Sequence, residues 1–178
     1  MRWLLVLVVL VACSSPSRRA DPIGNTSRDG GTGDASAPKL AVGEPFTLEV
    51  MPLEVVVSNG VIDPAVTRRA HELTPALRAA AREFSGVAVV SSGKQLLDLK
   101  LLFNCESEAP TCMAAITRSL PADRMIWGTL EGDRLKLHHI NAANEVVIHW
   151  VNEGAPIDEV GIDKISRDAI RGLLTRAP

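Results

Sequence analysis

Met125-Ile126-Trp127-Gly128-Thr129-Leu130, Leu135-Lys136-Leu137-His138-His139-Ile140 and Val146-Val147-Ile148-His149-Trp150-Val151 follow one another closely. Each run is short, carries several apolar residues and is bounded by turn-forming residues, which predicts three strands. Gly132-Asp133 suits a two-residue hairpin turn, and Asn141 to Asn144 suits a four-residue loop. These turns place Leu130 opposite Leu135, Gly128 opposite Leu137 and Ile126 opposite His139. Across the second hairpin they place Leu137 opposite Ile148 and Leu135 opposite Trp150. One face then collects Ile126, Leu130, Leu135, Leu137, Val146, Ile148 and Trp150, which makes it a core face. The other face carries Met125, Trp127, Val147 and Val151. Either a helix covers that face, or it is a partner surface anchored by Trp127.

Working outward, the flanks read as helices and further strands. Leu53 to Ser58 reads as a buried strand. Asp63-Pro64 has the form of an N-cap followed by a first-turn proline. Val66, Ala70, Leu73, Leu77, Ala81 and Phe84 then recur at spacings of three and four, which predicts an amphipathic helix over 64–84. Pro75 is expected to kink or divide it. Gly86 is a helix stop, Val87 to Val90 a second strand, and Gln95 to Leu102 a short helix. A third helix is expected from Pro110, carrying Met113, Ile116 and Leu120. The chain closes with an amphipathic helix bearing Ile162, Ile165, Ala169 and Leu173. The order β-α-β-α-α-β-β-β-α predicts an α/β (α+β) domain, a two-layer sandwich of a mixed sheet of about five strands with packed helices.

At the other end, Arg2 precedes ten apolar residues, Trp3 to Ala12. That is the layout of a signal peptide, and it is too short for a span of about 20 residues. Leu10-Val11-Ala12-Cys13 resembles the bacterial lipobox. The resemblance implies a 1–12 signal, removal of the peptide before Cys13, and acylation of Cys13. Ser14 in place of an Asp favours the outer membrane. Residues 13–45 are rich in Ser, Gly, Asp, Ala and Pro without apolar periodicity, and read as a lipidated Cys followed by a flexible tether. Such a tether spans about 30 Å on average. The folded domain is then expected over 46–178.

Composition narrows the function. The 178 residues carry 19 Lys plus Arg against 21 Asp plus Glu, with aromatics at 3% and no Tyr. Nucleic-acid binding needs a concentrated basic face, or aromatic rings for single strands, so it is excluded. Of the three Cys, lipidation of Cys13 leaves Cys105 and Cys112. In an exported chain these two are expected to pair as a disulfide across a short loop.

Cys105-x6-Cys112, Met113-Ala114-Ala115-Ile116 and Leu120-Pro121-Ala122-Asp123-Arg124-Met125-Ile126-Trp127-Gly128 together resemble the TolB amino-terminal-like (CsgG-like) α/β domain of bacterial envelope lipoproteins. In that family the Cys pair precedes a helix, then Leu-Gly-Ala-Asp, apolar residues and a Gly before a hairpin. Pro121 stands here where Gly is usual. The resemblance implies binding rather than catalysis: oligomerisation, or docking to another envelope protein. Lipoprotein activators of penicillin-binding proteins share the plan of anchor, tether and domain.

Motifs for chemistry are scarce. Ser91-Ser92-Gly93-Lys94 lacks the flanking residues of a phosphate loop, since Ala88 and Gln95 stand at two required positions. Gly-x-Ser-x-Gly, His-Glu-x-x-His and Gly-x-Gly-x-x-Gly are absent. His138 and His149 project from the non-core face on adjacent strands, diagonally placed. They are the candidate metal ligands, without an evident third, and a solvated or partner-facing surface is the expectation. His139 points toward the core and His71 lies on the outside of the first helix. The expected protein is a non-catalytic lipoprotein without a cofactor. Its membrane contact is the lipid, and its partner is another envelope protein or itself. The alternative is a metal- or thiol-dependent enzyme using His138 and His149, or Cys105 and Cys112.

Overall fold

The structure is a computed structural model and describes residues 41–57, 60–152, 156–158 and 161–176. Cys13 and the signal lie outside the described residues. The domain opens with strand β1 (Ala41–Val50) and the two-residue β2 (Glu54–Val55). Helix α1 (Pro64–Arg82) and strand β3 (Ser85–Val90) follow. Two short helices, α2 (Leu96–Leu102) and α3 (Pro110–Arg118), precede the meander of β4 (Arg124–Glu131), β5 (Arg134–Asn141) and β6 (Val147–Val151). Helix α4 (Gly161–Leu174) ends the order. The sheet runs β3-β1-β4-β5-β6, with β2 also on β4. β1 is parallel to β3 and β4, and the meander is antiparallel, so the sheet is mixed.

The central strand β1 was not expected, and its first residues fall within the stretch assigned to the tether. Its segment contains Gly43-Glu44-Pro45, which reads as a breaker cluster. The pairing with β3 is irregular between Ala41 and Phe46. Pro45 has no N–H for a ladder, so a bulge there lets the strand continue. Beyond it Phe46, Leu48 and Val50 are buried. The strand expected over Leu53 to Ser58 shrinks to β2. Val50 and then Glu54 both pair with β4, at Ile126 and Thr129, so β2 resumes the path that β1 leaves at Pro52.

Asp63 caps α1 by accepting from the Ala65 N–H at 2.8 Å, with Pro64 in the first turn. The helix is not divided at Pro75. Pro75 and His71, the residue whose carbonyl loses a partner, are both exposed, so water can serve that side. Val66, Ala70, Leu73, Leu77 and Ala81 bury the opposite face.

The β4–β5 register is the expected one, with Leu130 on Leu135, Gly128 on Leu137 and Ile126 on His139. The β5–β6 register is displaced by two residues: Leu137 meets Trp150, His139 meets Ile148 and His138 meets His149. The cause is the loop. Glu145 adopts a positive φ of 59°. The Asn141 and Asn144 side chains accept from Ala143 and Val146 N–H groups. Val146 is thereby used in the loop and is exposed instead of joining the core face. A two-residue displacement keeps every other side chain on its expected face.

One sheet face packs against α1 and α4 through Leu48, Val50, Ile126, Leu135, Leu137, Leu77 and Leu173. The other packs against α2 and α3 through Met125, Trp127, Ile140, Leu96, Leu99, Met113 and Ile116. That second helical layer adds to the two layers the pattern predicts. Among the described residues no helix is long and apolar enough to cross a membrane.

Candidate functional site

The non-core face of the meander is covered. Met125 and Trp127 are 0% and 1% exposed beneath α2 and α3, and Val147 is half-buried against the same cluster. Of the four expected partner-surface residues only Val151 is open, at 40%. Of the two alternatives, a covering helix is what the structure shows, and Trp127 as the anchor of an exposed interface is corrected. The two short helices expected from the sequence, α2 and α3, fold over it.

Trp127 is fixed at its edge. Its Nε1–H donates to Glu108 Oε2 at 2.8 Å, and Lys100 Nζ donates to Glu108 Oε1 at 2.7 Å. Burial raises the Glu108 pKa, but the hydrogen bonds from Lys100 and Trp127 outweigh it and leave the carboxyl below its ordinary value. The loop that carries Glu108 is closed by the Cys105–Cys112 disulfide, Cα to Cα 6.1 Å. This bond joins the segment after α2 to the first turn of α3. Asn104, at φ 52°, turns the chain out of α2.

Trp127 stacks on His138, with centroids 5.2 Å apart and planes 19° from parallel. His138 in turn meets His149, Nδ1 to Nδ1 at 2.6 Å. Burial lowers the His138 pKa most, Glu108 pulls it back up, and the neighbouring His149, Lys136 and Lys100 lower it further. The two histidines are direct cross-strand partners rather than diagonal ones. No group of three or more His, Cys, Asp or Glu suited to a metal ion occurs among the described residues.

Outside this layer lies the surface that sequence reasoning missed. Leu96 and Leu99 bury the inner face of α2. Leu97, Leu101 and Leu102 point outward at 60%, 73% and 74% exposure. The signal was present in Leu96-Leu97-Asp98-Leu99-Lys100-Leu101-Leu102, which holds more leucines than one core-facing stripe uses. A second exposed apolar group, Val56, Val57, Val61 and Ile62, lies between β2 and α1.

No protein-family model matches the chain, and no curated protein matches it. Among solved structures it is similar to the LpoB C-terminal domain from Salmonella enterica, at 20% identity, 66% of this chain, 86% of that chain and a TM-score of 0.43. It is similar to TolB from Acinetobacter baumannii, at 13% identity, 78% of this chain, 30% of that chain and a TM-score of 0.45. It is also similar to a PelC dodecamer from Paraburkholderia phytofirmans, at 14% identity, 78% and 90% coverage and a TM-score of 0.37.

Proposed function

We propose that the chain is a non-catalytic lipoprotein of the bacterial envelope, whose tethered α/β domain docks onto another envelope protein or a second copy through the outer face of α2. The observation that carries this reading is the outward display of Leu97, Leu101 and Leu102 on a helix already seated by Leu96 and Leu99. Contiguous apolar surface of that kind on a small domain marks a contact surface. The lipobox ending at Cys13 supports anchoring, and Ser14 supports the outer membrane with the domain in the periplasm. A tether averaging about 30 Å keeps the domain close to membrane-bound partners and raises their effective concentration.

The test is a Leu97→Ser/Leu101→Ser double variant, followed by native mass in detergent extracts of membranes. Both side chains are exposed, so stability is expected within about 0.5 kcal/mol of the parent. The expected result is loss of the parent's higher-mass assembly with unchanged unfolding. An assembly of unchanged mass and yield would contradict the reading.

A further inference from the structure

The β5–β6 register brings His138 and His149 into direct opposition, and their Nδ1 atoms approach to 2.6 Å. The rings stand at 90° with centroids 4.7 Å apart. At that distance one nitrogen must hold a proton and the other accept it, so a single proton occupies the space between two lone pairs. Trp127 stacks on the His138 ring, and the indole is itself pinned by Glu108. His138 is thus pre-oriented, while His149 is exposed and leaves the outer side open to water. The charged groups that bear on the pair are Glu108, Lys136 and Lys100.

We propose that His138 and His149 form a two-imidazole chelate for a divalent transition-metal ion, with Cu(II) preferred to Zn(II). The metal takes the place of the shared proton, which moves to Nε2 of the same ring; both rings then turn so that their Nδ1 lone pairs converge on the ion beside the N–N line, and water fills its remaining positions. Metal–imidazole bonds of about 2.0–2.1 Å set the two nitrogens roughly 2.9 Å apart at a right angle and roughly 3.3 Å apart at a tetrahedral one. The smaller opening from the observed separation suits tetragonal Cu(II), and the Irving–Williams order points the same way. The inference is independent of docking through α2, which lies on a different element.

The experiment titrates the purified full chain with Cu(II) alone and with Zn(II) alone, against a chromophoric competitor, and records the electron paramagnetic resonance of the Cu(II) form. The expected result is one additional Cu(II) equivalent in the parent relative to His149→Ala. The affinity at that site falls at least tenfold in the variant, and two imidazole nitrogens are coupled to the copper in the parent alone. His149 is exposed, so its replacement leaves folding intact, and His71→Ala serves as an unaffected control. Equal Cu(II) binding by parent and His149→Ala would overturn the site. Tighter binding of Zn(II) than of Cu(II) would overturn the preference.

Discussion

Gly128 shows how one residue holds the meander in register. It sits in the middle of β4 opposite Leu137. A Cβ at this position would run into the Lys136 backbone carbonyl and would meet Leu137 Cδ2 at 2.7 Å. A backbone carbonyl in a ladder cannot move aside as a side-chain tip can. Gly128→Ala is therefore expected to cost about 2 kcal/mol or more, read as a fall in the urea midpoint. An unchanged midpoint would show that the strands separate freely there. His139 offers a second test at this scale. It is 1% exposed, and neither ring nitrogen meets a hydrogen-bond partner among the described residues. Burial, and then the Arg124 charge, lower its pKa to about 4 from 6.5. Between those values the unfolded chain binds the proton and the folded one does not. The stabilisation is complete above pH 6.5 and is lost as pH falls toward 4, about 3 kcal/mol across the window. His139→Leu is expected to flatten the pH dependence of unfolding free energy by that amount, and equal slopes in parent and variant would contradict the buried neutral ring.

Elements differ in how openly the sequence announces them. The meander was legible because strict alternation and Gly132 left little choice of register between β4 and β5. The β5–β6 register was not, because a positive φ at Glu145 is not encoded by a glycine, and the loop therefore consumes Val146. β1 was hidden by Pro45, which reads as an end and acts as a bulge. The covering of Trp127 was left as one of two alternatives for another reason. α2 spans only seven residues and cannot be stable alone, so its position is set by tertiary contact. Leu96, Leu99 and the Cys105–Cys112 bond supply that contact. Replacing both cysteines by serine is expected to lower stability by about 2 kcal/mol. It should also shift Trp127 emission to the red as the α2–α3 layer loosens. A stability loss with unchanged emission would place the effect elsewhere in the chain.

At the scale of the molecule, both sides of the sheet are core, and the α2–α3 side also carries the proposed docking face. The α1–α4 side buries Leu48, Val50, Leu77 and Leu173. The α2–α3 side buries Trp127 and then displays further leucines above it. An apolar face on a domain that we propose to be tethered at a membrane is expected to find a protein surface. The decisive measurement is site-specific photo-crosslinking in intact cells, with the crosslinker placed in turn at Leu97, Leu101 and, on α4, at the exposed Arg167. A docking face on α2 requires one discrete adduct mass from Leu97 and Leu101 and none from Arg167, and the proposed acylation of Cys13 requires that adduct to be lost in Cys13→Ser. Adducts of equal yield from all three positions, or none from α2, would contradict the docking face.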